Sequence, residues 1–368
     1  VKPVDVLIVG AGIVGAACAD ALTRDGLSVA LVDRAGVANG ATGAAMGHVV
    51  AMPEGDAIYA LTRYSQKLWA ELKEQLSAAV EYRTAGTLWI AADDHEMSEV
   101  HRMQRMHAQA GFAADILSGD DLARLEPNLH PGFAGALHVP GDVLVSPTAA
   151  ATYLVDRARS RGAQVCEGVT VTEFIEQGAR LASGEIWPAK FCVNACGALA
   201  RCLTPGLPVR SRKGHLVMVR AVPGFATHQL VELGYLKSVG GGDADSVAFN
   251  LHPRADGTLL IGSSRQYDNA SPEVEPAMLA RMVNRAYEYM PPLAKLRHEK
   301  AWAGFRAATP DKLPLIGPSP TRPDIFLATG HEGLGITTSL ATGQIIADLI
   351  LNKTPAIDCT PFSPARFA

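Results

Sequence analysis

The residues Val4-Asp5-Val6-Leu7-Ile8-Val9-Gly10-Ala11-Gly12-Ile13-Val14-Gly15 open a stretch that ends at Ser28-Val29-Ala30-Leu31-Val32-Asp33. Val4 to Val9 is apolar and β-branched, with one charge at Asp5, and reads as a buried strand. Gly10 to Gly15 is a GxGxxG turn. Ala16 to Leu22 is alanine-rich and predicts a helix, which Gly26 closes in the C′ position. Ser28 to Val32 predicts a second strand, ending on an acidic residue. Gly10 permits the tight turn, Gly12 admits a pyrophosphate against the backbone, and Gly15 lets helix and strand pack closely. The helix N-terminus offers unpaired N–H groups and partial positive charge to phosphate. Asp33 can accept from ribose hydroxyls. The expected dinucleotide contacts are therefore Gly10, Ala11, Gly12, Ile13, Val14, Gly15 and Asp33. The fingerprint alone serves NAD and FAD equally.

Working outward, the chain has 368 residues, 48% hydrophobic and 19% charged, which suits about two domains with a sizeable core. Lys and Arg total 33 against 37 Asp and Glu, so neither nucleic acid nor an anionic membrane is the expected partner. Val1-Lys2-Pro3 runs straight into the apolar strand, without the pattern of a secretory leader. The uncharged run Val6–Ala19 is short for a bilayer span and is interrupted by glycines. The expected location is the cytoplasm, with a peripheral place at the inner membrane face left open. The six cysteines form no CxxC pair and read as reduced thiols, several of them buried.

After Asp33 the pattern departs from an NAD half-domain. Gly40-Ala41-Thr42-Gly43-Ala44-Ala45-Met46-Gly47-His48 is a run of small residues leading into a helical segment, roughly 58–76. Small side chains suit a backbone lying against a planar ring. Near the other end, Trp302 to Gly317 reads WAGFRAATPDKLPLIG. A predicted strand, 324–329, a glycine-rich turn at 330–337 and a helix over 339–351 then repeat the order of the opening unit.

Together the fingerprint, Val32-Asp33-Arg34, the GATGAAMG loop and the GFRAATPDKLPLIG segment resemble the D-amino acid oxidase family of flavoproteins, nearest its glycine oxidase and D-hydroxyproline dehydrogenase branch. The likeness runs from Val4 to about Leu351. It implies an α/β architecture. A discontinuous Rossmann-like FAD-binding domain (1–80, 143–205 and 300–368) would accompany a substrate-binding domain with a mostly antiparallel sheet (81–142 and 206–299).

The resemblance implies non-covalent FAD as cofactor. Arg34, Ala41, Thr42, Ala45, Met46, Gly47 and His48 would lie along it, Val169 would reach the adenine part, and Ala195 and Gly197 would form a turn beside the ring. The turn His331, Glu332, Gly333, Leu334, Gly335, Ile336 and Thr337 would face the pyrimidine end, with the last helix stabilising charge that develops there. The implied reaction is oxidation of the Cα–N bond of a small amino or imino acid, by hydride transfer to flavin N5, giving an imine. Arg306 would hold the substrate carboxylate through two charge-assisted hydrogen bonds. An external acceptor (oxygen, a quinone or a protein) must take the electrons.

Where glycine oxidase-like relatives carry a second Arg and a Tyr, this chain has Gly333 and Asn250. The wider pocket this implies suits D-proline or 4-hydroxy-D-proline, with Asn250 bonding a hydroxyl and Glu332 or His331 accepting from the amine or hydroxyl. His48 and His252 are further candidates. Lys213 and Arg254 read as surface charges, and Gly240–Asp243 as a turn near the site. Glycine or sarcosine oxidation, the flavin subunit of a larger dehydrogenase, an NAD(P)-dependent dehydrogenase and a non-catalytic dinucleotide sensor are the competing readings. Oligomeric state is open.

The middle of the chain predicts a helix over 146–161 entered through Pro147 and short strands at 164–166, 169–174 and 191–195. Strand character recurs in RTAGTLWIAA (83–92), HLVMVRA (215–221), SVAFNLH (246–252) and GTLLIGSS (257–264).

Overall fold

The computed structural model describes residues 2–234, 244–267 and 269–368. The turn expected at Gly240–Asp243 lies outside them. In chain order the strands are β1 (Val4–Val9), β2 (Val29–Asp33), β3 (His48–Val49), β4 (Arg83–Thr84), β5 (Thr87–Ala91), β6 (Asp115–Ser118), β7 (Gly135–Val139) and β8 (Val143–Leu144). Then come β9 (Gln164–Glu167), β10 (Val171–Ile175), β11 (Gly178–Leu181), β12 (Ile186–Asn194), β13 (Arg210–Arg220), β14 (Gln229–Glu232) and β15 (Ser246–Pro253). The last are β16 (Thr258–Arg265), β17 (His298–Ala308), β18 (Leu315–Pro318) and β19 (Ile325–Thr329). The chain divides into two compact units. The first comprises Val1–Val80, Val145–Arg212 and Phe305–Ala368; the second comprises Glu81–Leu144 and Lys213–Gly304. Two of these divisions fall inside strands β13 and β17, whereas the sequence placed the domain limits at 205 and 300.

In the first unit, β9, β2, β1, β12 and β19 lie side by side and parallel. β18 extends this row antiparallel to β19, and β10 and β11 fold back onto the start of β12. The helix Ile13–Arg24 joins β1 to β2. It ends because Gly26 adopts φ +88°, with Gly26 N bonding Thr23 O and Leu27 N bonding Leu22 O, the paired bonds of a glycine C-terminal stop. Its alanine face packs on the C-terminal helix, Gly335–Ile350, and on the helix Pro147–Ser160. The opposite sheet face builds a core around Leu7, Val32, Phe174, Trp187, Leu315 and Leu327.

The second unit carries a sheet in the order β17-β13-β16-β15-β14-β5-β7-β6. From β13 to β6 its pairings are antiparallel except that β14 runs parallel to β5. Leu88, Ile90, Val217, Val219, Phe249, Leu251, Leu259 and Ile261 alternate along four strands and share one face with Met282, Ala286 and Tyr289 of the helix Pro276–Tyr289. Phe249 stacks on Tyr289 at 4.9 Å between ring centroids. By the same alternation Asn250 and His252 belong to the other face. Here Lys213 and Arg254 correct the sequence reading. Lys213 is 1% exposed, with its backbone paired to Gln266 and its ammonium 3.4 Å from Asn269 Oδ1. The Arg254 side chain is 14% exposed and lies 3.9 Å from Glu81.

Several element limits also move. The C-terminal helix begins at Gly335, before the expected 339, because Thr338 and Ser339 return their hydroxyls to the carbonyls of Leu334 and Ile336. β12 begins at Ile186, well before 191, because its first residues pair antiparallel with β11. Among the described residues no helix is long and apolar enough to cross a membrane.

Candidate active site

Four segments of the first unit leave the carboxyl ends of adjacent parallel strands: Gly10 after β1, Asp33 at the end of β2, Ala195 after β12 and Gly330 after β19. The chain passes from β1 to β2 on one side and places β12 on the other, so β1 lies where the strand order reverses. Ligands of open parallel sheets bind outside the carboxyl ends at such a reversal.

The glycine turn is built for close approach. Gly10 adopts φ +107°, and a Cβ there would lie 2.5 Å from Ala195 O. A Cβ on Gly15 would fall 1.8 Å from Gly10 O. Gly12 starts the first helix with no side-chain cap and no acidic residue in the first turn. Thr42 Oγ1 accepts from Ile13 N at 3.0 Å, so the small-residue loop folds over the helix start. That bond uses one lone pair of the hydroxyl and leaves its hydrogen to donate. Asp33 accepts from Ala11 N through Oδ2 and from Ala35 N and Gly36 N through Oδ1, at 2.8, 2.8 and 3.0 Å. A carboxylate has roughly four acceptor positions. Asp33 therefore shapes the turn first and keeps about one direction for a ribose hydroxyl. Val169 N donates to Asp33 O at 3.0 Å, which leaves its carbonyl for any adenine contact. These features fit a dinucleotide: a helix start with no acidic residue in its first turn and one N–H held by Thr42, a turn with no room for side chains and a positioned carboxylate.

The second glycine turn brings together Arg306, His48 and Glu332. Glu332 N donates to Ala307 O at 2.9 Å, which fixes the turn beside the strand end that carries Arg306. His48 Nε2 lies 3.1 Å from Gly333 O. A carbonyl only accepts, so Nε2 carries the hydrogen and Nδ1 is the acceptor nitrogen. Burial pushes the His48 imidazole down to about 4; the Gly333 bond opposes this and the nearby Arg306 cation adds to it. His48 is thus neutral at pH 7. Thr337 Oγ1 donates to His48 O at 3.0 Å and accepts from Val50 N at 3.3 Å, so its hydroxyl fastens the loop to the helix start. Gly47, at φ +97°, lets that loop pass Val145, whose carbonyl would lie 2.0 Å from a Cβ. Met46 is buried and Ala41 exposed. The C-terminal helix, like the first, starts without a side-chain cap or an acidic residue.

Two expectations change here. His331 is fully enclosed, with Nε2 3.0 Å from Thr342 Oγ1, and burial lowers its imidazole to about 3. Its Nε2 is thereby held by the helix. The Glu332 carboxylate forms an ion pair with Arg212, a residue the sequence reading passed over. Arg212 sits at the start of a strand reading RSRKGHLVMVR, where nothing local marks its partner 120 residues away.

In the second unit, Asn250 is 7% exposed and its Oδ1 is buried, with no hydrogen-bond partner among the described residues. His252 is fully buried two residues on.

The model of the DAO family, FAD dependent oxidoreductase, matches residues 5–349. The chain belongs to this family. Its cofactor is FAD, and the NAD(P) and sensor readings fall away. The glycine oxidase of Geobacillus kaustophilus is 29% identical over 98% of this chain and 97% of its own length. The crystal structure of glycine oxidase from that organism superposes with a TM-score of 0.90 at 28% identity, covering 100% of this chain and 99% of the other. The crystal structure of L-proline dehydrogenase from P. horikoshii superposes with a TM-score of 0.91 at 22% identity, covering 100% and 98%, a likeness of fold. This member of the family is an enzyme, a flavin-dependent oxidoreductase with a Rossmann-like parallel sheet and a second, mostly antiparallel one.

Proposed function

We propose that the enzyme oxidises the Cα–N bond of a small monocarboxylic amino or imino acid, with D-proline and cis-4-hydroxy-D-proline as preferred substrates. The observation that carries the reading is Arg306 beside a neutral His48. One fixed cation, undiluted by a second charge on the imidazole, matches one substrate carboxylate. A guanidinium can bond both of its oxygens. Bound FAD supplies the two-electron acceptor for the oxidation.

The parallel-sheet unit is assigned the cofactor and the antiparallel unit the substrate-recognition strands. His48 Nδ1, fixed as an acceptor by the bond at Nε2, can receive an N–H from a substrate amine. Gly333 adds no side chain to the turn, which leaves room for a ring. Asn250 Oδ1 is assigned a ligand donor, an N–H or a 4-hydroxyl. His252, on the same strand face, is assigned a supporting role. Electrons then pass to an external acceptor of the oxygen, quinone or protein class.

Glycine or sarcosine is the second reading, favoured by the glycine oxidase of 29% identity. The test is anaerobic bleaching of the bound flavin by 4-hydroxy-D-proline, D-proline, D-alanine, glycine and sarcosine. Fast bleaching by the cyclic D-imino acids is expected. A higher kcat/KM for glycine or sarcosine would overturn the cyclic preference in favour of the second reading. Reoxidation by air then separates oxidase from dehydrogenase.

A further inference from the structure

Three adjacent strands of the second unit carry a buried polar row. Leu88 of β5, Leu230 of β14 and Leu251 of β15 belong to the core that packs on the helix Pro276–Tyr289. The residue before each of them stands on the opposite face of the sheet. These residues are Thr87, Gln229 and Asn250. Gln229 lies opposite Thr87 across the parallel β14–β5 pair. Asn250 lies opposite Val231 across the β14–β15 pair, which sets it diagonally to Gln229. The row ends on Val139 of β7, opposite Thr87, and on Gly262 of β16, opposite Asn250.

Thr87, Gln229 and Asn250 are 0%, 3% and 7% exposed. Thr87 Oγ1, Gln229 Oε1 and Asn250 Oδ1 are enclosed, with no hydrogen-bond partner among the described residues. Burying an amide or a hydroxyl without a bond costs stability. Packing needs no polar group here, since leucine fills the neighbouring position of all three strands. Adjacent strands lie about 4.8 Å apart, so the row spans about 10 Å, the length of one small substrate. Its groups are uncharged, and each amide or hydroxyl can both give and take a hydrogen bond. An alcohol on the ligand does the same. A methylene leaves the row unbonded, and a carboxylate brings a charge to side chains that carry none.

We propose that Thr87 and Gln229 join Asn250 in a row that reads a substrate hydroxyl, so that the enzyme prefers the hydroxylated member of a matched pair of amino or imino acids. The inference rests on the assignment of the antiparallel unit to substrate recognition, and it adds two specificity residues to that assignment. A site built to bond a hydroxyl rejects the analogue without it, because the analogue leaves buried polar groups unpaired.

The experiment uses the flavin-loaded enzyme and two matched pairs: cis-4-hydroxy-D-proline against D-proline, and D-serine against D-alanine. The quantity read is the ratio of kcat/KM within each pair, with anaerobic flavin reduction as the rate of the chemical step. The parent enzyme is expected to favour the hydroxylated member. Gln229→Met keeps the length of the side chain and removes its amide. It is expected to lower the ratio about fivefold or more, the scale of a hydroxyl left unpaired in a buried site. Thr87→Val is expected to lower it in the same direction, and Thr87→Ser, which restores the hydroxyl, to return the parent ratio.

A ratio within about twofold of the parent in folded, flavin-retaining Gln229→Met would overturn the proposal, since an unpaired buried group costs more. If that variant loses its fold or its flavin, Thr87→Val decides by the same criterion, read against Thr87→Ser. A parent enzyme that favours the hydroxylated member of neither pair also overturns it. The cyclic preference fails separately. If glycine or sarcosine outruns both cyclic acids, that preference falls and the ratio of D-serine to D-alanine still tests the row; if the cyclic acids lead and no ratio moves in the variants, only the row falls.

Discussion

Gly343 of the C-terminal helix faces the carbonyl of Ala17 in the first helix so closely that a Cβ on it would lie 2.5 Å from that oxygen. The two helices whose starts serve the two glycine turns are therefore packed backbone to backbone. Gly343→Ala inserts a methyl group where none fits. Overpacking of this kind costs about 1–3 kcal/mol. The expected result is a lower Tm and weaker retention of FAD, checked by thermal unfolding and by flavin content after dialysis.

Thr337 joins the same helix to the loop that carries His48. Thr337→Val keeps the shape and removes both a donor to His48 O and an acceptor for Val50 N. Loss of buried hydrogen bonds of this type costs about 1–3 kcal/mol. A drop in urea midpoint without change in m-value is expected, with a raised KM because His48 is less firmly placed.

Arg306→Lys retains charge and loses the two-pronged geometry. A fall in kcat/KM of about 30- to 1000-fold is expected, the range of a charge-assisted, oriented contact. Steady-state kinetics should show this with flavin content unchanged.

Desolvation of His48 and His331 makes stability depend on pH. Burial lowers His48 to about 4 and His331 to about 3, against 6.5 for the exposed imidazole. Between those values the unfolded chain binds protons that the native state refuses. The stabilisation is fully present above about 6.5 and is lost as pH falls toward 4 and then 3. Urea unfolding at pH 7.5 and 5 should show lower stability at pH 5. His331→Gln, which can still bond Thr342, should reduce that difference.

Asp33→Ala removes the acceptor for Ala11, Ala35 and Gly36 together. The glycine turn then loses its support before any ribose contact is considered. Weaker FAD binding is expected, read as a raised Kd on reconstitution of the apoprotein. Asp33→Asn, which keeps one acceptor oxygen, should fall between the two.

The opening unit was legible because its signals are local. A β-branched run, a glycine turn, an alanine helix stopped by Gly26 and a strand ending on Asp33 each follow from neighbouring residues, and all four appear as expected. Strands and helices elsewhere were legible in kind, and their limits moved where partners distant in sequence decided them. β12 starts at Ile186 because β11 pairs with it. Lys213 looked like a surface charge because a charged residue beside Gly214 carries no mark of the strand pairing that encloses it.

By itself the sequence determined the dinucleotide fold, since that rests on a short pattern with fixed spacing; FAD and the candidacy of Arg306 came with the resemblance to a family, which those patterns carry. The tertiary structure decided what each polar group is free to do. Thr337 spends its hydroxyl inside the protein, Thr42 and His331 each give one bond there, and Asp33 spends most of its carboxylate on the turn. Arg212 and Glu332 find each other across 120 residues. Hydrogen bonds and ion pairs saturate, and which partner claims them depends on distances that only folding sets.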